Sequence, residues 1–285
     1  MRRRRAGTLA IAALWIGATC AGAVDAAGVP SPSDPYAGVA RAYRVSVDGR
    51  ELWSSSAAEP RPPASLTKLM TALVVLDAIA PDEVVTVSAR AARARGARVG
   101  LVVGERFHAA DLVTAMLVAS GNDACLAIAE HVAGSEAAFV RRMNERARAM
   151  QLSATHFENA CGFDGPTHRS SARDIARMAQ TLLERPLLAR TVALPASTIH
   201  AIGGRAFDVR NSNALIGRVP GAVGVKTGYT ARAGRCLVGL VERDGVRVMI
   251  VLLGAGDRWW DAVAMIERAF EHVHEAGARA GSPPR

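Results

Sequence analysis

The sequence predicts an α+β protein whose antiparallel sheet is flanked by helices and interrupted by an inserted all-helical subdomain. Alternating apolar and polar residues predict a hairpin near each end of the chain, over about residues 43–55 and 236–253. The middle of the chain instead places its apolar residues at helical spacing. We therefore expect the first and last segments to share one sheet, with a helical subdomain of about residues 89–205 inserted between them.

The N-terminus predicts a secretory signal over residues 1–27. Arg2 to Arg5 form a charged start, an apolar stretch follows from about Ala6 to Val24, and small residues then offer cleavage sites. We therefore expect export across the inner membrane to a periplasmic or other extracytoplasmic space. The apolar stretch also approaches spanning length, so an uncleaved anchor is the alternative.

The first hairpin and the first helix lie in a folded domain expected over residues 39–276. Residues 28–38 are rich in Pro, Ser and Gly and predict a flexible lead-in. Tyr43, Val45 and Val47 then alternate with polar residues before an Asp-Gly turn. Prolines at positions 60, 62 and 63 end this hairpin, and a helix is predicted from about Ser65.

Four helices are predicted in the middle of the chain, and a hairpin and a helix follow them. The four helices run from about Ala110 to Val118, Asp123 to Val132, Glu136 to Met150, and Ser171 to Leu183. Ser171, with an aspartate three residues later, forms a variant of the capping box. From about Ala206 the period changes to two. A terminal helix is predicted from Arg258 to about His274, packed on the sheet, and residues 277–285 are expected to form a flexible tail.

Charge and cysteine content restrict the partners and the chemistry. Loss of residues 1–27 would lower the formal charge from +9 to +6, which still favours an anionic cell-wall or lipid surface. No run of basic residues with interleaved aromatics predicts nucleic-acid binding. Cys125, Cys161 and Cys236 allow one disulfide at most, and the sequence leaves open whether any two pair; Cys161 is expected to be a buried packing residue. No metal-ligand spacing is present, so neither a metal nor a cofactor is expected.

The 35 basic side chains include two lysines, Lys68 and Lys226, and the rest are arginines. Arginine stays protonated and cannot act as a base, whereas burial and a neighbouring positive charge can lower the pKa of a lysine. Both lysines lie in short motifs that also contain hydroxyl groups. The sequence therefore predicts a serine enzyme with a lysine base.

Ser65 and Lys68 lie three residues apart at a predicted helix start, so they project from the same face. A neutral Lys68 amine can take the proton of Ser65, whose hydroxyl is otherwise a weak nucleophile. Backbone N–H groups at the helix start can stabilise an oxyanion. The motif alone is weak evidence, because a capping serine followed by a solvated lysine has the same spacing.

Two further motifs carry polar groups in suitable places. Ser120 and Asn122 flank a glycine between two predicted helices, where both side chains can face one cleft; a polar turn is the plainer alternative. Lys226, Thr227 and Gly228 lie on a predicted strand. There the lysine and the threonine can bind an anion, and the glycine lets a substrate backbone approach. A surface strand with a solvated lysine is the alternative for this motif.

In this order the three motifs match the set used by serine–lysine acyltransferases. The chain resembles the D-alanyl-D-alanine carboxypeptidases, which are low-molecular-mass penicillin-binding proteins, over about residues 36–270. The segments that carry the resemblance are Ala64–Ala72, Ala119–Cys125, Gly134–Phe139, Thr155–Phe157, Gly162–Asp164, His168–Asp174, Val225–Thr230 and Ala233–Val238.

The resemblance implies a penicillin-binding-protein or serine β-lactamase-like fold and a role for each motif residue. Ser65 would attack the bond between two D-alanines of a peptidoglycan stem peptide, with Lys68 as base and Ser120 as proton relay to the leaving amine. Asn122 would hold Lys68 and the substrate amide. The remaining substrate-binding residues implied are Lys226, Thr227, Gly228, Tyr229 and Arg258. Lys226, Thr227 and Arg258 would bind the terminal carboxylate, and the N–H groups of Ser65 and Tyr229 would form the oxyanion hole.

The same resemblance implies covalent inhibition by β-lactams and leaves other functions open. An endopeptidase that cuts a D-alanyl crosslink uses the same chemistry. A β-lactamase would need a deacylating glutamate, for which Glu158 is the nearest candidate. A non-catalytic β-lactam-sensing or wall-binding module would be expected to have a broken motif, and all three motifs are intact. The polar end of the chain does not resemble the amphipathic membrane anchor of many relatives.

Overall fold

Five strands near the two ends of the chain form one antiparallel sheet, as the sequence predicts. The structure is a computed structural model that describes residues 36–280. The predicted signal over 1–27, most of the predicted lead-in and the last five residues of the predicted tail lie outside the described residues. The strands are β1 (Ala40–Val47), β2 (Arg50–Ser55), β7 (Ala222–Thr230), β8 (Gly234–Arg243) and β9 (Val246–Ala255). Their order across the sheet is β2-β1-β9-β8-β7, so β1 and β9 pair directly although they lie far apart in the sequence.

The segment between β2 and β7 contains seven helices within the described residues. It begins with a 3-10 turn, η1 (Ala64–Thr67). The helices are α1 (Lys68–Ala78), α2 (Ala89–Ala92), α3 (Ala109–Val118), α4 (Asn122–Ala133), α5 (Glu136–Ala149), α6 (Ala172–Leu183) and α7 (Pro186–Ala193). Ser171 caps α6 by accepting a hydrogen bond from the N–H of Asp174, which confirms half of the predicted capping box. The Asp174 carboxylate instead accepts from Ala154 and Thr155, so it braces a neighbouring loop.

Two pairs of short strands also lie between β2 and β7, partly within residues 89–205, which were expected to be all helical. They pair β3 (Val84–Thr86) with β4 (Arg106–His108), and β5 (Ala196–His200) with β6 (Ala206–Arg210). Each of these four strands has three to five residues, and only one residue of each is buried. Such short strands give too few alternations for a period of two to be visible in the sequence.

The sheet separates two apolar layers. On β8, Val238 and Leu240 pack in the core that the inserted helices share, whereas Leu237 and Val241 face the terminal helix. This alternation is the pleat of a strand that is buried on both faces. Burial of each Val or Leu side chain contributes about 1.5–3 kcal/mol. The sheet is therefore held rigidly between the two layers.

The terminal helix, α8 (Arg258–Ala280), covers the face of the sheet away from the inserted helices. Ile266 and Phe270 are buried against the sheet, and Trp259 and Val263 are partly buried there, as predicted. The helix continues beyond His274 to Ala280, so the start of the predicted tail is helical. Across residues 36–280, none of the helices combines the length and the apolar character needed to cross a membrane.

Candidate active site

Ser65 lies in the 3-10 turn η1, and Lys68 is the first residue of α1. The predicted helix start at Ser65 is thus one tighter turn. In a 3-10 turn residues i and i+3 eclipse each other, which brings Lys68 Nζ to 3.1 Å from Ser65 Oγ. The turn is entered through Ala64, whose φ of 47° lies in the left-handed region. Non-glycine residues with such strained backbone cluster at functional sites.

Lys68 is completely buried and has three polar neighbours. Besides approaching Ser65, its Nζ donates to Asn122 Oδ1 and to the carbonyl oxygen of Cys161, each at 2.7 Å. Burial lowers the pKa of Lys68 well below its usual value, and the charge of Lys226 lowers it further, while Asp123 acts in the opposite direction. The two larger effects therefore favour the neutral amine over the ammonium form.

A neutral amine has two hydrogens and one lone pair. The carbonyl oxygen of Cys161 and the carboxamide oxygen of Asn122 can only accept hydrogen bonds, so each takes one hydrogen of Lys68. The lone pair is then left for the third neighbour, the hydroxyl of Ser65. The geometry thus directs Lys68 to take the proton of Ser65, as the sequence predicts.

Ser120 and Asn122 lie at the junction between α3 and α4. Ser120 has a φ of 61°, a second strained position at the site. Asn122 Nδ2 donates to the carbonyl of Arg95 at 2.6 Å, which fixes the amide orientation and turns Oδ1 towards Lys68. Within residues 36–280 the hydroxyl of Ser120 has no hydrogen-bond partner, although only 9% of the residue is exposed. It is therefore free to bond a substrate or relay a proton.

Asp123, which the sequence analysis did not single out, holds the loop that precedes β4. Its carboxylate accepts hydrogen bonds from the backbone N–H groups of Val99, Gly100 and Leu101 at 2.8–3.2 Å. The residue is fully buried. A charged residue directly after the Asn of the second motif, at the start of an apolar helix, was the available signal. Buried carboxylates need such partners.

The third motif lies on β7, an edge strand whose open side faces η1. An added Cβ at Gly228 would crowd this turn, because it would lie 3.0 Å from Ala64 Cβ and 3.1 Å from the backbone N of Ser65. The turn that carries Ser65 (η1, called the nucleophile turn below) therefore already lies close to this glycine, and the approach of a substrate backbone there stays a prediction. Tyr229, the next residue, is 65% exposed at the rim.

Lys226 and Thr227 are both buried on β7. Burial lowers the pKa of Lys226 to about 7, and the nearby charge of Arg258 contributes. Its Nζ donates to the Thr227 carbonyl at 3.2 Å, which leaves other hydrogens for an anion. The Thr227 hydroxyl lies 2.6 Å from Ser212 Oγ, a contact that the sequence analysis missed.

Arg258, at the start of α8, reaches the same strand. Its Nη1 donates to the Gly228 carbonyl at 2.9 Å and to the Cys236 carbonyl at 3.3 Å. The guanidinium also lies over the Trp259 ring, 4.6 Å from its centroid. Arg258 therefore braces the backbone of the third motif, and its contact with a substrate carboxylate stays a prediction.

Thr67 and His168 hold the nucleophile turn in place through a chain of hydrogen bonds. The Thr67 hydroxyl donates to the Ala64 carbonyl, so its 2.8 Å contact with His168 Nε2 places the hydrogen on Nε2. His168 Nδ1 then accepts from the Glu158 N–H at 3.0 Å. Burial lowers the pKa of His168 to about 4, and both contacts suit the neutral ring.

Glu158, the candidate deacylating residue, is engaged elsewhere. Its carboxylate accepts hydrogen bonds from the N–H and the hydroxyl of Thr167. The side-chain bond with Thr167 lowers the pKa of this exposed carboxyl group. A raised pKa would suit a general base better. These contacts give no support to a β-lactamase.

Cys125 and Cys161 form a disulfide. Cys161 is buried, as expected, but it is not simply a packing residue. The two cysteines meet because α4 and the loop around Cys161 both pack against the end of Lys68. Cys236 is free and buried, and burial raises its pKa to about 11.

Comparison with known proteins decides the family. The model of the D-alanyl-D-alanine carboxypeptidase family, peptidase S11, matches residues 45–257. The chain belongs to this family.

Among family members, the chain is similar to the D-alanyl-D-alanine carboxypeptidase DacF of Bacillus subtilis, with 34% identity over 230 residues. That match covers 78% of this chain and 59% of DacF, so the chain spans about three-fifths of the relative's length. A D-alanyl-D-alanine endopeptidase of Pseudomonas aeruginosa is 31% identical over 257 residues, covering 87% of this chain and 82% of the relative.

A solved structure of the same family has the same fold. The D-alanyl-D-alanine carboxypeptidase of Mycobacterium tuberculosis H37Rv superposes with a TM-score of 0.76 at 30% identity. The superposition covers 85% of this chain and 93% of that chain. The likeness confirms the α+β architecture of a penicillin-binding protein.

Proposed function

We propose that this protein is a serine-type D-Ala-D-Ala carboxypeptidase that acts on peptidoglycan stem peptides through an acyl-enzyme at Ser65 and is inhibited by penicillins. The observation that carries the proposal is the buried Lys68, whose Nζ lies 3.1 Å from Ser65 Oγ and whose other two neighbours can only accept hydrogen bonds. An activated serine with a fixed base is the requirement for acyl transfer.

In the proposed reaction Lys68 takes the hydroxyl proton as Ser65 Oγ attacks the carbonyl carbon between the two D-alanines. The N–H groups of Ser65 and Tyr229 stabilise the oxyanion, and Ser120 passes the proton to the amine of the leaving D-alanine. Water then attacks the ester and releases the shortened peptide. A penicillin acylates Ser65 by the same route, with its lactam nitrogen as the leaving group.

Recognition of a free C-terminal carboxylate distinguishes a carboxypeptidase from other acyl-transfer enzymes. Lys226 and Thr227 offer a buried cation and a hydroxyl near the end of the nucleophile turn. A bound carboxylate stabilises the ammonium form of Lys226 and so raises its pKa above the value of about 7 in the free site. Lys226 and Thr227 thus form the carboxylate pocket, and Arg258 supports it through a hydrogen bond to the Gly228 carbonyl.

An endopeptidase that cuts D-alanyl crosslinks is the second candidate. It is favoured by the likeness to the P. aeruginosa endopeptidase, of which this chain covers 82%. Both activities use the same nucleophile and base, and the difference lies in the room beyond the carboxylate pocket. A non-catalytic sensor is not favoured, because one residue of each motif, namely Lys68, Asn122 and Gly228, contacts the turn of Ser65 or its lysine.

We place this activity outside the cytoplasm, on the basis of the N-terminal sequence. The basic start and the apolar stretch within residues 1–27 support export to the periplasm. The formal charge of +6 that would remain supports contact with an anionic wall or membrane surface.

The test uses the mature chain, residues 28–285, with two substrates. One is a pentapeptide ending in D-Ala-D-Ala and the other is a crosslinked muropeptide dimer, and products are identified by mass. We expect the pentapeptide to lose one D-alanine. Cleavage of the dimer alone would support the endopeptidase, and cleavage of neither would contradict both enzymes in favour of the sensor.

A further inference from the structure

The disulfide between Cys125 and Cys161 joins the two segments that supply the acceptors of Lys68. Cys125 lies on α4 three residues after Asn122, whose Oδ1 accepts from Lys68. Cys161 itself supplies the second acceptor, its carbonyl oxygen. Both cysteines are at most 1% exposed. The covalent link therefore runs directly beside the buried amine.

The Asn122 side is positioned by regular structure, but the Cys161 side is not. Asn122 starts a helix, and its amide is held by the Arg95 carbonyl. Cys161 lies in a loop with no helical or strand hydrogen bonds to place its carbonyl. The position of that oxygen must therefore come from contacts particular to the loop.

Several such contacts act with the disulfide, including those of the neighbouring Ala160, whose carbonyl accepts from Thr71 Oγ1 at 2.5 Å and whose N–H donates to Glu136 Oε1 at 3.0 Å. Asn159 Oδ1 accepts from the N–H groups of Cys161, Gly162 and Phe163 at 2.7–3.2 Å, which curls the loop. Gly162 has a φ of 91°, and an added Cβ would lie 2.0 Å from the Ala64 carbonyl oxygen, so the loop is pressed against the nucleophile turn. These contacts set the direction of the loop, and the disulfide ties it to α4.

We infer that the Cys125–Cys161 disulfide is a positioning crosslink that keeps the Cys161 carbonyl on Lys68 and thereby keeps the lysine lone pair on Ser65. If the carbonyl moves away, one N–H of Lys68 loses its acceptor in a buried site, which is unfavourable. The nearest other acceptor is Ser65 Oγ, and donation to it would turn the lone pair away from the serine proton. The inference rests on the proposed acyl-enzyme at Ser65.

The test compares two preparations of the same sequence. One is made in an oxidising compartment, and the other is made in a reducing cytoplasm and kept in a phosphine reductant. Mass measurement after denaturing alkylation counts the free thiols. The second-order rate of acylation by a fluorescent penicillin, its division into non-covalent affinity and acylation rate constant, and its pH profile are then measured.

We expect the reduced chain to acylate about 10- to 100-fold more slowly, through the acylation rate constant and not through the affinity. The acid limb of its pH profile should also move. The charged groups that face Lys68 are Lys226 on β7 and Asp123 on α4, and reduction changes neither. Cys125→Ser/Cys161→Ser should behave like the reduced chain, and Ser54→Ala, on β2 away from the site, should leave acylation unchanged.

Equal rate constants and pH profiles in the oxidised and reduced chains would overturn the inference while leaving the proposed function intact. So would an oxidised chain in which Cys125 and Cys161 are both free and acylation is fast. If the oxidised chain does not acylate at all, the proposed function fails and the inference fails with it. Thermal unfolding checks that each variant is folded, and the reduced wild type answers the question without any substitution.

Discussion

Lys68 and Asn122, 54 positions apart in the sequence, are joined by a 2.7 Å hydrogen bond from Lys68 Nζ to Asn122 Oδ1. The bond connects the first motif to the second. Because Asn122 Nδ2 is already bonded to the Arg95 carbonyl, its oxygen has to face the lysine. One hydrogen of Lys68 is thus committed, and the orientation of the base depends on residues from three separate segments.

Ser65→Ala should abolish both peptide turnover and covalent labelling by penicillin, because no other hydroxyl contacts Lys68 Nζ among the described residues. Intact mass after incubation with penicillin measures the labelling. Ser54→Ala, on β2 away from the site, is the control and should label normally. Labelling of Ser65→Ala at the normal rate would show that another residue is the nucleophile.

Lys68→Met should lower the acylation rate constant by about 10²–10⁴-fold, the usual contribution of a general base. Methionine fills much of the same buried space but has no lone pair basic enough to take the proton. Non-covalent affinity for penicillin should change little, because Lys68 faces Ser65 and not the carboxylate pocket. Stopped-flow acylation separates the two quantities. A variant that acylates at nearly the wild-type rate would contradict the role of Lys68.

The pH profile of kcat/KM should fall as the pH rises through about 7, because the free enzyme then loses the ammonium form of Lys226 that binds the substrate carboxylate. Lys226→Arg should lower kcat/KM at pH 7 by about 10-fold or more, since the planar guanidinium does not fit a buried point-charge site. It should also remove the descending limb, because arginine does not deprotonate in this range. Unchanged kinetics at pH 7 would mean that Lys226 supplies only charge.

Asp123→Asn should destabilise the protein by about 1–3 kcal/mol. Whichever carboxylate oxygen becomes the amide group, at least one backbone N–H would lose its acceptor, either at Gly100 and Leu101 or at Ala124. Denaturant unfolding gives the free energy of unfolding. Asp208→Asn, on the exposed β5–β6 hairpin, is the control and should change it little. Equal stability of Asp123→Asn and wild type would show that the loop does not depend on the carboxylate.

Stability should fall as the pH is lowered from about 6.5 towards 4. The folded state holds His168 neutral with a pKa of about 4, whereas the unfolded chain binds the proton at about 6.5. Acidification therefore favours unfolding, and the linked loss is about 3 kcal/mol once the pH is below both values. Denaturant unfolding at several pH values measures it. In His168→Gln, which does not titrate, this part of the pH dependence should disappear, and an unchanged slope would assign it to other groups.

Much of the fold could be predicted because its signals are local. The Asp-Gly turn after Val47 and the capping serine of α6 were visible as short patterns, and the structure confirms both. The strands β3, β4 and β5 were missed because each buries a single residue, whereas β6 begins at Ala206, where the change to a period of two was predicted. The motif residues of the site could be predicted from the sequence. The roles of Asp123 and His168 could not, because Asp123 bonds backbone N–H groups and His168 bonds a threonine that is distant in the sequence.

By itself, the sequence determined which chemical groups are available, namely two lysines placed beside hydroxyl groups in two motifs and a serine with an asparagine in a third, and the order of helices and strands that carries them. The tertiary structure alone decided that Gly228 packs against the nucleophile turn and that Cys125 pairs with Cys161. It also decided that both hydrogens of Lys68 are used by Asn122 and Cys161. The physical reason is that the identity of a group and its local spacing are properties of the chain, whereas burial and hydrogen-bond direction arise only when distant segments pack together.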